Sequence, residues 1–220
     1  VWRDALLVAG KDLRIELRTR VLLWQVLPFA ICALLLFALA LGPSADELRR
    51  GAPGLMWLAL LLASVLAVTR SSTLETREGT RAASRLLGLD ASGVFLGKAL
   101  ALALQLFALG LVLEGGLALF FHVDVPRLAL ATPLAACAVA ALASVGTLYG
   151  ALVAGTDASG TLLPLLVLPA LAPVLIAGER GTAGVLAGGG PGRWAIVLGV
   201  MAVAYVAVGI VLYGPLEEPS

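Results

Sequence analysis

From Ala99 to Phe121 the chain passes through 23 residues with one formally charged side chain, Glu114. That run restricts the fold more than any other feature, because a helix of that length is about 35 Å long and the hydrocarbon core of a bilayer is about 30 Å thick. Runs of the same kind recur. Prolines and charges divide the chain into six apolar segments, 21–42, 54–69, 94–121, 128–154, 161–177 and 194–214. Their continuity excludes the short alternating segments of a membrane β-barrel. Composition agrees: 60% of the 220 residues are hydrophobic, 13% are charged, and the mean hydropathy is +1.03, outside the range of soluble domains. The expected fold is an all-α membrane protein, with six transmembrane helices over 21–220 and an interfacial amphipathic helix over 1–20. Residues 1–20 carry charge throughout and precede an apolar run long enough to span, so the first span is expected to be retained.

The side of each loop follows from Lys and Arg. Ten of them (Arg3, Lys11, Arg14, Arg18, Arg20, Arg70, Arg77, Arg81, Arg85 and Lys98) flank one face, against Arg49, Arg50, Arg127, Arg180 and Arg193 on the other. Both ends of the chain are therefore expected in the cytoplasm of a bacterial inner membrane. In residues 1–20, Trp2, Leu6, Ala9, Leu13 and Leu17 recur at helical spacing with most charges off that stripe, the pattern of a helix lying in the interface.

The longest charged interruption is 70–98. Ser72 or Thr73 can cap a short soluble helix with Glu75 and Glu78 in its first turns, Arg85 near its end and Gly88 as a stop. Asp90 or Ser92 can then cap the next helix as it returns to lipid. The reading is a cytoplasmic coupling helix within 70–93, pressed by a partner. Asp157, in the short turn 155–160, is a second candidate contact on the same side.

Within the spans, polar chemistry is sparse. Glu114 has two readings: a shallow carboxylate that snorkels or pairs with Arg127 or His122, or an outer-leaflet functional group together with His122. Cys32 and Cys137 lie in apolar spans and read as packing residues; Trp2, Trp24, Trp57 and Trp194 read as interfacial anchors. Gly146 and Gly150 form a small-xxx-small pair, one candidate surface for dimerisation. Pro164, Pro169 and Pro173 each remove a backbone donor from the fifth span. They imply a bent or broken helix, a hinge that a moving transporter can use. Gly93-Val-Phe-Leu-Gly97-Lys98-Ala99 lacks one residue of P-loop spacing and has Ala99 where the magnesium-binding hydroxyl belongs. One histidine supplies neither a metal motif nor a catalytic triad, and no basic, aromatic-rich domain supports nucleic-acid binding. The chain reads as no enzyme, with no metal site and no cofactor of its own.

Three motifs carry a family resemblance. Lys11-Asp-Leu-Arg-Ile-Glu-Leu-Arg-Thr-Arg20 resembles the run before the first span of the haem exporter protein B (CcmB) family of cytochrome c maturation. Glu78-Gly79-Thr80, with Lys98 eighteen residues beyond, resembles the coupling segment of the wider ABC-2 class of exporters, although Arg81, Ala82 and Gly88 depart from it. Pro164, Pro169 and Pro173 with Val174-Leu-Ile-Ala-Gly178 resemble the proline-rich fifth span of the haem exporter family. The resemblance implies the permease subunit of an ABC transporter, a homodimer coupled through Glu75, Arg77, Glu78, Gly79, Thr80, Arg81, Arg85 and Asp157 to a cytoplasmic CcmA-like ATPase that binds ATP. It also implies haem as cargo, other maturation membrane proteins and a periplasmic haem chaperone as partners. The same class exports lipids, polysaccharides and drugs, and a non-moving scaffold for maturation partners is a third reading.

Overall fold

The computed structural model describes residues 1–20, 22–40, 44–78, 90–121, 123–153 and 159–217, and these are helical apart from short connections. Among the described residues, seven α-helices follow one another: α1 (Trp2–Thr19), α2 (Leu27–Ala40), α3 (Ala45–Glu78), α4 (Ala91–Phe120), α5 (Val125–Val153), α6 (Ser159–Leu186) and α7 (Gly192–Glu217). A π-helical turn, Leu22–Val26, leads into α2. Five stretches are long and apolar enough to cross a membrane: Glu47–Thr69, Ala91–Phe120, Val125–Val153, Leu166–Leu186 and Gly192–Leu216. A sixth is reached when α1 and α2, bent by 57° to each other, are taken together. The chain is a multi-pass membrane protein.

The bundle is built around α5, which packs against α3, α4, α6 and α7. Its inner residues are small: Ala131, Ala135, Ala138, Ala141, Ala143, Ser144 and Gly146 are all buried. In lipid, where apolar burial gives no net drive, such a surface lets backbones approach and gains dispersion contacts instead. Gly146 shows the closeness, since a Cβ there would stand 2.5 Å from Val68 of α3. Gly146 and Gly150 are both buried within this one chain, so this face is an internal seam rather than a free dimer surface.

A smaller cluster closes one end of the bundle. Val8 of α1, Val94, Phe95 and Ala99 of α4, Ala151 of α5 and Tyr213 of α7 pack together, with the Phe95 and Tyr213 rings 5.5 Å apart. Here α1 lies along the start of α4. A Cβ at Gly97 would stand 2.6 Å from the Ala5 carbonyl, and one at Gly93 would stand 2.8 Å from that of Val1. The buried face of α1 is Ala5, Val8 and Ala9, whereas Trp2, Leu6 and Leu17 of the expected stripe are exposed. Small residues thus meet α4, and the large apolar ones face outward. The helix ends at Arg20, whose φ of 53° places it in the left-handed region.

Four expectations are corrected. Ser72 and Thr73 start no new helix, because α3 continues through them from the second span to Glu78. No proline or glycine lies between Gly54 and Gly79 to stop it, and Thr69 satisfies its hydroxyl on the Val65 carbonyl at 2.7 Å without leaving the helix. The fifth span is not broken: α6 is one helix through Pro164, Pro169 and Pro173, and it extends nine residues past the expected boundary at 177 to Leu186. Trp57 is no interfacial anchor. It is 1% exposed, inside the main core. Cys32 is exposed on α2 rather than packed.

Candidate functional site

Where α4 begins, Asp90 meets Asp4 of α1. Asp90 is the N-cap of α4: its Oδ2 accepts from the Gly93 amide at 3.0 Å, as one of the two expected caps. The Asp90 amide in turn donates to Asp4 Oδ2 of α1 at 3.5 Å. Val94 and Phe95, in the first turn of α4, are anchored in the cluster with Tyr213. The start of α4 is therefore held by α1 and α7 at once.

Of the coupling residues, Glu75, Arg77 and Glu78 belong to the last turns of α3. Gly79, Thr80, Arg81 and Arg85 lie outside the described residues, as do Asp157 and His122. The helix that carries the charged segment is thus the same helix that crosses the apolar layer. At about 1.5 Å per residue, its 34 residues form a rod about 50 Å long.

Far along that rod, Trp57 joins α3 to α6. Its indole N–H donates to the Thr182 hydroxyl at 3.0 Å, and Thr182 is fully buried. Gly178, one turn away, makes room for the ring: a Cβ there would stand 2.6 Å from two indole carbons. Movement of α3 cannot leave α6 behind without breaking this bond and opening this contact. Sequence reading missed the pair, although Gly178 and Thr182 are spaced four apart, a small-xxx-small signal on one helix face. A second tie holds the proline region, where the Tyr205 hydroxyl of α7 donates to the Ala170 carbonyl at 2.8 Å. Pro169 and Pro173 are exposed on α6 beside it. Because Pro173 has no N–H, the carbonyl of Pro169 loses its helical donor.

Glu114 is buried rather than snorkelling, with 7% exposure. The Thr132 hydroxyl of α5 donates to its Oε2 at 3.4 Å, and Oε1 has no hydrogen-bond partner among the described residues. Arg127 is not its partner, since that guanidinium donates to the Leu186 carbonyl at 2.8 Å and stands 3.8 Å from Asp124. The carboxyl thus sits between two spanning helices with Thr132 as its one hydrogen-bond partner among the described residues.

The sequence profile of the CcmB protein family matches residues 3–213. The chain belongs to the CcmB family. The chain is 33% identical to heme exporter protein B of Rhodobacter capsulatus, over 78% of each chain. To the protein of the same name from Pseudomonas aeruginosa it is 33% identical, over 79% of this chain and 78% of the relative. The Paracoccus denitrificans heme exporter protein B is 30% identical over 90% and 91%. In this CcmB-family chain the match thus takes in both the α3 rod and the Trp57–Thr182 contact.

Proposed function

We propose that this chain is the membrane subunit of an ATP-driven haem exporter in a bacterial cytoplasmic membrane. It couples ATP hydrolysis by a separate CcmA-like ATPase either to haem delivery to a periplasmic haem chaperone or to release of the haem-loaded chaperone. Family membership supports the haem assignment. The observation that carries the mechanism is the single helix α3, continuous from Ala45 to Glu78. In this reading α1 and α2 together supply the first of six crossings, with the exposed Trp2, Leu6 and Leu17 of α1 in the cytoplasmic interface. Both ends of the chain are cytoplasmic, by the distribution of Lys and Arg.

The ATPase docks on the end of α3 and the residues that follow, using Glu75, Arg77, Glu78, Gly79, Thr80, Arg81 and Arg85, with Asp157 alongside. Displacement of that end moves the rod, and Trp57 carries the displacement to Thr182 of α6. Pro169 and Pro173 then let α6 flex, because the missing donor at each proline lowers the cost of bending there. Two copies act together, with other maturation membrane proteins alongside. No cofactor is bound by the chain itself, haem being cargo and ATP belonging to the partner.

The test is haem staining of c-type cytochromes in a strain lacking this gene, with the haem content of the periplasmic chaperone measured beside it. Loss of the cytochromes is expected. Haem-loaded chaperone accumulating would assign the release step, and an empty chaperone would assign haem delivery. Normal cytochromes would reject the haem assignment and leave an exporter of another cargo.

A further inference from the structure

At the end of the bundle opposite the α3–α4 junction, a cleft of about 340 Å³ opens among α3, α5 and α6. Arg49, Arg50 and Pro53 form one wall, Asp124 and Arg127 a second, and Leu186 with its neighbours a third. Arg127 is committed, to the Leu186 carbonyl at 2.8 Å and toward Asp124 at 3.8 Å. Arg49 and Arg50 are exposed, and neither has an ion pair or hydrogen bond among the described residues. Three guanidinium groups therefore line the cleft with one carboxylate.

Asp124 is the one acid in that lining among the described residues. On α6, Glu179 is paired with its neighbour Arg180 at 3.5 Å. Both α3 and α5 begin at this end, so their positive ends point toward it; the first turn of α5 holds no acid, whereas that of α3 carries Asp46 and Glu47. In the lining, three guanidinium groups stand against one carboxylate, and an anion relieves their mutual repulsion. The rest of the lining is apolar, with Pro53, Val123, Ala183 and Leu186 beside the charges. A ligand that satisfies both halves has an acidic head and an apolar body.

We propose that this cleft binds an amphipathic anion, its carboxylate or phosphate held by Arg49 and Arg50 and its apolar part lying on Val123 and Leu186. Haem with its propionates and an anionic phospholipid share that chemistry, and the haem source rests on the exporter reading above. Arg127, fixed by Leu186 and Asp124, sets the far edge of the head-group position. Guanidinium forks suit either head because each can accept two parallel N–H bonds.

The experiment uses the full-length protein in phosphatidylcholine nanodiscs and measures binding of haemin, haemin dimethyl ester and a short-chain phosphatidylglycerol. Wild type is compared with the R49Q/R50Q double variant and with R193Q, which lies outside the cleft. At least one of the two anions is expected to bind, with roughly tenfold or greater loss in R49Q/R50Q, no change in R193Q, and weakening as salt is raised. Loss of haemin binding on esterification identifies the propionates as the head. Phosphatidylglycerol binding without haemin binding identifies a lipid head group. No binding of either anion, or binding indifferent to both salt and R49Q/R50Q, overturns the proposal. The salt series on wild type reads the same charges even where the double variant fails to fold. Normal cytochromes in the deletion strain would reject the exporter reading and leave arginine-dependent lipid binding standing, so the two failures are distinct.

Discussion

Replacing Trp57 by Phe removes one hydrogen bond and leaves the fully buried Thr182 hydroxyl without its donor. The expected cost is about 1–3 kcal/mol, because an unsatisfied buried group loses its desolvation energy. Thermal unfolding in detergent measures it, and adding Thr182→Val to the Phe variant should cost less than the two single changes summed. Gly178→Ala drives a methyl to within 2.6 Å of the indole, an overpacking expected to cost about 1–3 kcal/mol in the same assay. At Glu114, Gln keeps the contact with Thr132 and removes a carboxylate whose Oε1 is unpartnered among the described residues. Glu114→Gln should hold the wild-type midpoint, and a large drop would mean that a cation outside the described residues pairs with the charge. The sequence put Trp57 at the start of a span over 54–69, whereas the crossing stretch runs from Glu47 to Thr69 and the indole faces α6. A tryptophan at the edge of an apolar run is the same string whether its indole faces lipid or a neighbour. The deciding information lay 121 residues away, in Gly178.

Helices were legible where the apolar run or the cap was local, and less so where tertiary contact decided. Asp90 was readable as a cap because its bond to Gly93 spans three residues. The extent of α3 was not, because Ser72 and Thr73 have cap chemistry and a helix interior can absorb them once the span behind has paid nucleation. For α6 the prolines suggested a break, yet its last nine residues extend the helix, with Gly178 against Trp57 and Gly181 close to Leu134 and Trp194. Packing thus carried the helix past the predicted boundary at 177. The hinge role belongs to this scale: Pro169→Leu with Pro173→Leu should insert at wild-type level and lose most cytochrome c maturation, as read by haem staining of membranes. Full maturation in that pair would remove the hinge from the account. The contact of α1 with α4 is tested by Gly97→Val, whose side chain meets the Ala5 carbonyl and Val8. Limited proteolysis should then cut α1 from a bundle that otherwise stays folded.

Across the whole molecule, a rod, a fixed junction and a tied helix connect the two ends of the bundle. The start of α4 is held in place by the Asp90 cap and by the packing of Phe95 with α1 and α7. Trp57 binds the far half of the rod to α6. Force applied at one end therefore has a route to the other through covalent helix and two named contacts. The whole-molecule measurement is haem staining of c-type cytochromes in a strain whose only copy carries Glu75→Arg, Glu78→Arg and Arg81→Glu, with membrane levels of the protein matched to wild type. Reversing two charges at the end of the rod and one in the residues that follow leaves the apolar spans untouched, so insertion should be normal, while docking of the ATPase is lost and the cytochromes are absent. Wild-type cytochromes in that strain would contradict the coupling role assigned to α3.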